Sequence, residues 1–331
     1  MEQAGVKLEE IGGHDRMKFK KYIWPVVGFA TIGFSAWLLF HELRGLSLDD
    51  LWDSLKAIRV RDWLCSGLST LLAYAALAGY DRIALQHLGR KVNWLFITLT
   101  SFTTYALSHN VGASVFSGAV VRYRAYTSKG LSVAEVGVLV GLCSFTFLIG
   151  TIMLIGLVLL YEPDITERFT GILPVEASTT TGVVLLFFVS LYVLGSLLRL
   201  KPLKIGSFVL PYPAPKLVAQ QLVIGPIELI GAAGIIYFAL PEAGNPGYMV
   251  ILGIFLVSFS AALISHAPGG LGVLELVFVT GLPDMNPADV IAALLVFRLF
   301  YLIIPFIMAL FVILFFERSQ LAAAQKREGL R

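Results

Sequence analysis

The chain has 331 residues, of which 57% are apolar and 14% are charged, and its mean hydropathy is +0.81. Because soluble domains carry about 25% charged residues, this composition excludes a soluble globular protein, a disordered chain and a nucleic-acid binder. The apolar runs are too continuous for the alternating strands of a porin-like barrel. The net charge is +3, so the placement of the charges is more informative than their sum.

Six apolar runs reach, within a few residues, the length of about 20 residues that a membrane-crossing helix needs. They are Tyr22–Phe40, Trp63–Tyr80, Val136–Tyr161, Ala177–Leu198, Leu217–Leu240 and Val290–Phe316. Two further segments, Trp94–Val121 and Tyr248–Gly281, are apolar but broken in the middle by polar residues and glycine. No signal-peptide cleavage site is evident, and the loop Glu162–Glu176 is too short for a soluble catalytic domain. The sequence predicts an all-α polytopic membrane protein.

The segment 47–59, between the first two spans, has an amphipathic pattern. Five apolar residues share one helical face, and Ser47 is a suitable N-cap; the five are Leu48, Leu51, Trp52, Leu55 and Ile58. This pattern predicts a short helix lying on the membrane surface. A solvated connector is the alternative.

The two broken segments resemble each other at a constant offset of 157 residues. Ser101–His109 aligns with Ser258–His266, and Gly112 aligns with Gly269. The sequence therefore predicts two related membrane units of about 155 residues. Chance similarity between apolar segments is the alternative.

The positive charges predict the orientation, since cytoplasmic loops are rich in Lys and Arg. Both chain ends are predicted inside. Arg82, Arg90 and Lys91 place the start of the first broken segment there, and Arg122, Arg124 and Lys129 place its end there as well. Its halves have 14 and 11 residues, too few to cross alone, so it is predicted to be a re-entrant helical hairpin. Acidic residues flank the second broken segment, which would re-enter from outside. The alternative, one tilted helix over Trp94–Val121, places Arg122 outside.

Each unit would then contain three crossings and one hairpin. An odd number of crossings inverts the second unit relative to the first, which is typical of transporters. The predicted boundaries are a cytoplasmic tail over 1–21, a first unit over 22–161, a second unit over 162–316 and a cytoplasmic tail over 317–331.

The predicted hairpin tips supply polar groups near the middle of the bilayer. Irregular backbone at that depth is tolerated only where it is buried or lines a cavity, and helix N-termini there favour anions. We expect a gate formed by Gly112, Pro268, Gly269, Gly270 and Gly272, and a polar headgroup path that includes Ser108, His109, Ser265 and His266. Plain helix packing by the serines is the alternative. The histidines fit loop capping better than metal binding, and no metal or cofactor is expected.

Three ionisable residues lie inside predicted spans or hairpins: Glu228, Glu275 and Arg298. Charges at such depth are costly and are usually functional or paired. We expect Arg298 to bind a lipid phosphate, with Glu275 or Glu228 as counter-ion or proton carrier. An ion pair that only locks two helices is the alternative. Arg122 and Arg124 are expected to recruit anionic headgroups, although the positive-inside pattern also explains them. The cysteines, Cys65 and Cys143, are predicted to be buried and unpaired.

Four motifs resemble the transmembrane flippase domain of the multiple peptide resistance factor family, the lysylphosphatidylglycerol synthase/flippases, and the related UPF0104 proteins. The motifs are Ala78–Arg82, Gly118–Tyr126, Pro268–Glu275 and Arg298–Tyr301 with Pro305. The resemblance covers about residues 22–316 and implies a bacterial inner-membrane protein that moves phospholipid between leaflets. Full-length family members also carry a soluble transferase domain, and we expect no transferase activity because this chain stops soon after its last span.

These observations favour a translocase of anionic or aminoacylated phosphatidylglycerol-type lipids. The alternative is a scaffold that presents lipid to a separate synthase, and either protein could form homo-oligomers. An intramembrane hydrolase is disfavoured because the sequence contains no nucleophile–base pair and no HExxH motif. ATP-driven transport is also disfavoured because no nucleotide-binding loop is present.

Overall fold

The computed structural model describes residues 48–111, 114–169, 178–200, 203–205, 208–210, 212–265 and 268–328. Within these ranges the chain is almost entirely helical. The α-helices are α1 (Leu48–Ala57), α2 (Val60–His87), α3 (Trp94–Val111), α4 (Ser114–Thr127), α5 (Val133–Tyr161), α6 (Thr179–Leu197), α7 (Pro215–Ala239), α8 (Tyr248–Ser265), α9 (Val273–Gly281), α10 (Pro287–Phe297) and α11 (Ile304–Glu328). A π-helix, Arg298–Ile303, joins α10 to α11.

The remaining regular elements are short. Pro163–Phe169 and Pro268–Gly270 are 3-10 segments. Two antiparallel strands, β1 (Leu203–Ile205) and β2 (Phe208–Leu210), form a small hairpin. The predicted span Tyr22–Phe40 lies outside the described residues, and so do Gly112 and His266.

Among the described residues, six helical stretches are long and apolar enough to cross a membrane. They are Val60–His87, Val133–Tyr161, Thr179–Leu197, Pro215–Ala239, Tyr248–Ser265 and Pro287–Phe316. Five of them contain or overlap predicted spans, and the sixth is the first arm of the second broken segment. The prediction of an all-α polytopic membrane protein is confirmed at this level.

Both broken segments form pairs of packed helices. The second pair, α8 and α9, has the predicted bounds 248–281, whereas the first pair, α3 and α4, extends to Thr127, six residues beyond the predicted end. The described order is a long helix, a broken pair and a long helix, and this order occurs twice along the chain. The re-entrant course of the pairs and the inversion of the units stay predictions.

Helices α2 and α7 form the central contact of the bundle and run antiparallel. Near one end the Ser66 hydroxyl donates to the Ile235 carbonyl at 3.0 Å, and near the other the Tyr80 hydroxyl donates to the Gly225 carbonyl at 3.1 Å. Between them, Gly231 lies so close to α2 that a Cβ there would be 2.9 Å from the Ala73 nitrogen. The absence of a side chain at this position therefore allows the two backbones to meet.

The segment predicted to lie on the membrane surface contains a helix, α1, which packs against α10. Immediately after it, Arg59 donates hydrogen bonds to Asp62 and to Glu242, both at 2.7 Å. Both bonds raise the pKa of Arg59 above its usual value, and the bond to Asp62 has the larger effect. The contacts attach α1 to the rest of the bundle, and its position on a membrane surface stays a prediction.

Helices α5 and α7 touch through their backbones at Gly150 and Gly225. A Cβ on Gly150 would lie 2.7 Å from the carbonyl carbon of Gly225. Gly150→Ala must therefore separate the two helices, and we expect it to lower the free energy of unfolding by about 3 kcal/mol, at the upper end of the usual cost of overpacking. Thermal unfolding of the purified protein in detergent measures this change.

The matched control is Gly141→Ala, on the same helix α5. A Cβ there would meet no atom within 4 Å, so this variant should unfold at nearly the wild-type temperature. A Gly150→Ala protein as stable as Gly141→Ala would show that α5 and α7 are not in backbone contact.

Candidate functional site

Glycine shapes the break between α8 and α9. Gly269, Gly270 and Gly272 have φ values of 59°, 65° and 77°, in the left-handed region that glycine adopts without the penalty of a Cβ. A Cβ on Gly270 would also lie 2.2 Å from the Leu274 side chain. Helix α8 ends at Ser265, and these glycines permit the turn from Pro268 into α9.

Arg298 binds this turn from the π-helix of the last span. Its Nε donates to Glu275 Oε1 at 2.9 Å, its Nη1 donates to the Gly269 carbonyl at 3.0 Å, and its Nη2 also donates to Glu275 Oε1. The second oxygen of Glu275 accepts from the Gly272 nitrogen at 2.9 Å. Of the two partners predicted for Arg298, the structure selects Glu275.

The end of α3 meets the same place. Helix α3 contacts the Pro268–Gly270 turn, and the Asn110 amide nitrogen donates to the Leu302 carbonyl in the π-helix at 3.2 Å. We call the group Asn110, Gly269, Glu275, Arg298 and Leu302 the junction site. It joins the end of α3, which is the first arm of the first broken pair, to the turn of the second pair and to the last span.

Glu228 lies in a second polar cluster, next to the junction site along the π-helix. It is 1% exposed, and its Oε1 accepts from the Tyr301 hydroxyl at 2.5 Å. Its Oε2 has no hydrogen-bond partner among the described residues. His109 stacks on the Tyr301 ring at a centroid distance of 5.0 Å, and its Nδ1 is likewise buried without a described partner. The cluster therefore brings a buried carboxylate to the hydroxyl of one tyrosine and an imidazole to the face of its ring.

A third cluster surrounds Asp81, which is completely buried in α2. Arg122 Nη2 donates to Asp81 Oδ1 at 2.7 Å, and the Tyr126 hydroxyl donates to Oδ2 at 2.7 Å. The Arg122 guanidinium also lies over the Tyr105 ring, 4.8 Å from its centroid, and Cys143 is a further neighbour of Asp81 at 3.4 Å. The ion pair thus joins α2 to α4 inside the bundle.

The structure separates residues that the sequence analysis groups together. Arg122 is buried in its ion pair, while Arg124, two residues later, is exposed. The Ser108 hydroxyl donates to the Thr104 carbonyl at 2.7 Å, and the Ser265 hydroxyl donates to the Ala262 carbonyl at 3.1 Å. Both hydroxyls thus bond to their own helices. Lipid binding by these residues stays a prediction.

Two residues of the polar clusters, Asp81 and Tyr301, are not among the site residues predicted from the sequence. Asp81 follows the apolar run Trp63–Tyr80 and resembles a flanking charge, but α2 continues to His87 and carries it inside. The sequence signals that could have found them are the motifs in which they lie: Asp81 is part of Ala78–Arg82, and Tyr301 is part of Arg298–Tyr301. Within the described ranges, no group of three or more His, Cys, Asp or Glu residues is arranged to hold a metal ion.

Comparison with known proteins gives consistent matches over nearly the whole chain. The family described as "Lysylphosphatidylglycerol synthase TM region" matches residues 26–309. The uncharacterized protein slr0712 of Synechocystis is 31% identical over 290 residues, 87% of this chain and 89% of its own length. Inner membrane protein YbhN of Escherichia coli is 29% identical over 326 residues, 96% of this chain and 98% of its own length.

The chain also matches part of a longer protein. Phosphatidylglycerol lysyltransferase of Staphylococcus aureus is 27% identical over 286 residues, which are 84% of this chain and 32% of the transferase. The similarity to this enzyme thus covers about a third of its length.

Proposed function

The chain belongs to the family of the lysylphosphatidylglycerol synthase TM region, and on that premise we propose that it moves phospholipid between the leaflets of a bacterial inner membrane. The substrate class is phosphatidylglycerol or its aminoacylated form, in keeping with the name of the Staphylococcus aureus relative. The name of the Escherichia coli relative supports the location.

The observation that carries this proposal is the arginine of the junction site. Arg298 lies eleven residues after Pro287, at the start of the last candidate span, so it is about 17 Å along the helix at 1.5 Å per residue. A charge at that depth is costly unless it has a function or a partner. Here it meets a carboxylate and a glycine turn, at the place where α3 contacts that turn.

Glu275 occupies the position that a lipid phosphate would take. Its two oxygens accept from the Arg298 guanidinium and from a backbone N–H at the start of α9, and these are the groups that bind phosphate in proteins. In the proposed mechanism the phosphate replaces Glu275 on Arg298 while the acyl chains stay in the bilayer. Glu275 is the counter-ion that restores the closed junction after the headgroup has passed.

Glu228 is the candidate proton carrier. The buried carboxylates Asp81 and Glu275 each have an arginine partner, but Glu228 has none among the described residues. A proton can therefore bind or leave Glu228 without breaking an ion pair. Tyr301 and Arg298 share one π-helix, which gives the proton site a direct connection to the junction site.

The proposal includes two inverted units with re-entrant pairs. An offset of 157 residues places Ala73 of α2 opposite Ile230 of α7 in the alignment of the units, and α2 meets α7 at Ala73 and Gly231. Two inverted units are related by a pseudo-two-fold axis in the membrane plane. Where their corresponding helices meet at this axis, the helices run antiparallel and cross at equivalent residues. This crossing supports the inversion.

Topology is tested by labelling single cysteines at Arg124 and Lys129, which follow the first pair. We expect an impermeant thiol reagent to label both from the cytoplasmic side only, because both ends of a re-entrant pair lie on one face. Cysteines at Glu162 and Asp164 serve as the opposite-side control. Labelling of Lys129 from outside would contradict the re-entrant pair and the inverted units.

The proposed activity is tested in liposomes that contain the purified full chain and fluorescent lipids. Movement of labelled phosphatidylglycerol or lysyl-phosphatidylglycerol to the quenchable leaflet should exceed that in protein-free liposomes, and phosphatidylethanolamine should move more slowly. A folded, inserted protein that moves none of these lipids would overturn the proposal.

The second candidate function is a subunit that presents lipid to a separate synthase. It is favoured by the match of this chain to part of a phosphatidylglycerol lysyltransferase. A presenting subunit would bind the lipid and stimulate a synthase added to the liposomes without moving lipid across the bilayer.

A further inference from the structure

A groove of about 470 Å³ lies between α2 and α7, and none of its lining residues belongs to the three polar clusters. Most of its wall is apolar: Leu72, Ala75, Gly79, Ile83, Ile224 and Ile227. Leu72 and Ala75 are exposed, so the groove opens at the surface of the bundle. Because α2 and α7 are both candidate membrane spans, this opening would face the acyl chains of a bilayer.

One end of the groove is polar and carries a cation. Arg82 lines this end together with Gln86 and Gln220. The Arg82 guanidinium lies 4.8 Å from the centroid of the Trp94 ring and has no carboxylate partner in the part of the chain that the structure describes. The Oε1 atom of Gln220 is buried there, also without a described hydrogen-bond partner. The end therefore presents an unpaired positive charge beside an unused hydrogen-bond acceptor.

The length of the groove fits one leaflet. Leu72 and Gln86 are 14 residues apart on α2, which corresponds to about 21 Å at 1.5 Å per residue. This is close to half of a bilayer that is about 40–45 Å thick with its headgroups. Trp94, which packs on Arg82, is a residue type enriched where headgroups meet the hydrocarbon. The apolar wall thus has the reach of one acyl chain, with Arg82 at headgroup level.

We propose that this groove is a binding site for one anionic phospholipid of the surrounding bilayer. One acyl chain lies along the wall from Ile83 to Leu72, and the phosphate accepts hydrogen bonds from Arg82. Gln220 Oε1 accepts a hydrogen bond from a headgroup hydroxyl. A lipid can stay bound in the groove without changing leaflet, so this inference is independent of the proposed translocation and is tested separately.

The test is native mass spectrometry of the full chain in mild detergent, after removal of lipid and titration with phosphatidylglycerol or phosphatidylethanolamine. Arg82→Gln should bind the first phosphatidylglycerol about tenfold more weakly, as expected for the loss of one charge-assisted contact, and the loss should be smaller for phosphatidylethanolamine, whose ammonium group already offsets the charge of its phosphate. Ala75→Trp should weaken the binding of both lipids, because the indole ring would fill the part of the groove that the acyl chain occupies.

Two matched controls define the outcome. Lys216→Gln removes an exposed positive charge at the start of α7 that does not line the groove, and Leu71→Trp adds bulk to an exposed position of α2 outside it. Both should bind lipid like the wild type. Wild-type binding by Arg82→Gln, or an equal loss in Lys216→Gln, would overturn the proposal. Arg82 is exposed, so its replacement reports on the groove even if Ala75→Trp folds poorly.

Discussion

Arg298→Ala should abolish lipid movement in liposomes while the protein stays inserted in the membrane. The substitution removes three hydrogen bonds that hold Glu275 and the Gly269 carbonyl, and with them the cation that would bind the phosphate. Arg298→Lys should restore only part of the rate, because an ammonium group lacks the two-pronged geometry of guanidinium. The rate of fluorescent phosphatidylglycerol movement measures both effects, and elution on size exclusion reports folding.

A second variant separates transport from folding. Arg298→Ala leaves Glu275 largely buried and unpaired, which itself destabilises a protein, whereas Arg298→Ala with Glu275→Gln removes both charges. We expect the double variant to fold and still to move no lipid. If the double variant transports at the wild-type rate, or if exchanging the two charged residues restores both folding and transport, the pair is structural and the proposed phosphate site is wrong.

Arg122→Ala should lower the free energy of unfolding by about 3–5 kcal/mol, the usual cost of leaving one member of a buried ion pair alone. The side chains of Arg122 and Asp81 are 6% and 0% exposed, so the remaining carboxylate could not reach water. Tyr126 would still donate to it, but a neutral hydroxyl does not balance its charge. Thermal unfolding in detergent measures the loss.

Two further variants show whether this loss comes from the buried charge. Asp81→Asn with Arg122→Gln removes both charges and should recover most of the stability. Arg90→Ala breaks an exposed ion pair with Glu135 and should leave the unfolding temperature nearly unchanged. If Arg122→Ala unfolds at the same temperature as Arg90→Ala, then Arg122 is not a structural partner of Asp81, and its predicted role in headgroup binding gains weight.

The long helices could be predicted from the sequence because a membrane span is specified locally, by a run of apolar residues. The break at Pro268–Gly272 is local as well, since its backbone conformation requires glycine. The end of α2 could not be found this way. The apolar run stops at Tyr80, but the helix continues to His87 and carries Asp81 into the bundle, where it pairs with Arg122, 41 residues later in the chain.

The candidate site shows the same limit. The residue type and depth of Arg298 mark it as a candidate site residue, but the choice between Glu275 and Glu228 as its partner depends on how three distant segments pack. The sequence likewise gives no sign that His109 lies on the ring of Tyr301. Stacking between residues 192 positions apart is set by the tertiary structure, and the apolar character of both segments is compatible with many other arrangements.

The π-helix Arg298–Ile303 gives the last span a means of rotation. Its hydrogen bonds enclose one residue more than those of the α-helices on either side. The π-helical hydrogen bonding could shift to another position along the helix. Each residue between the old and the new position would then rotate about the helix axis by about 100°, the angle between neighbours in an α-helix. Arg298, Tyr301 and Leu302 would turn together, away from Glu275, Glu228 and Asn110. A rotation of these residues would separate Arg298 from Glu275 and Tyr301 from Glu228 in one step, which is the change that opening of the proposed site requires.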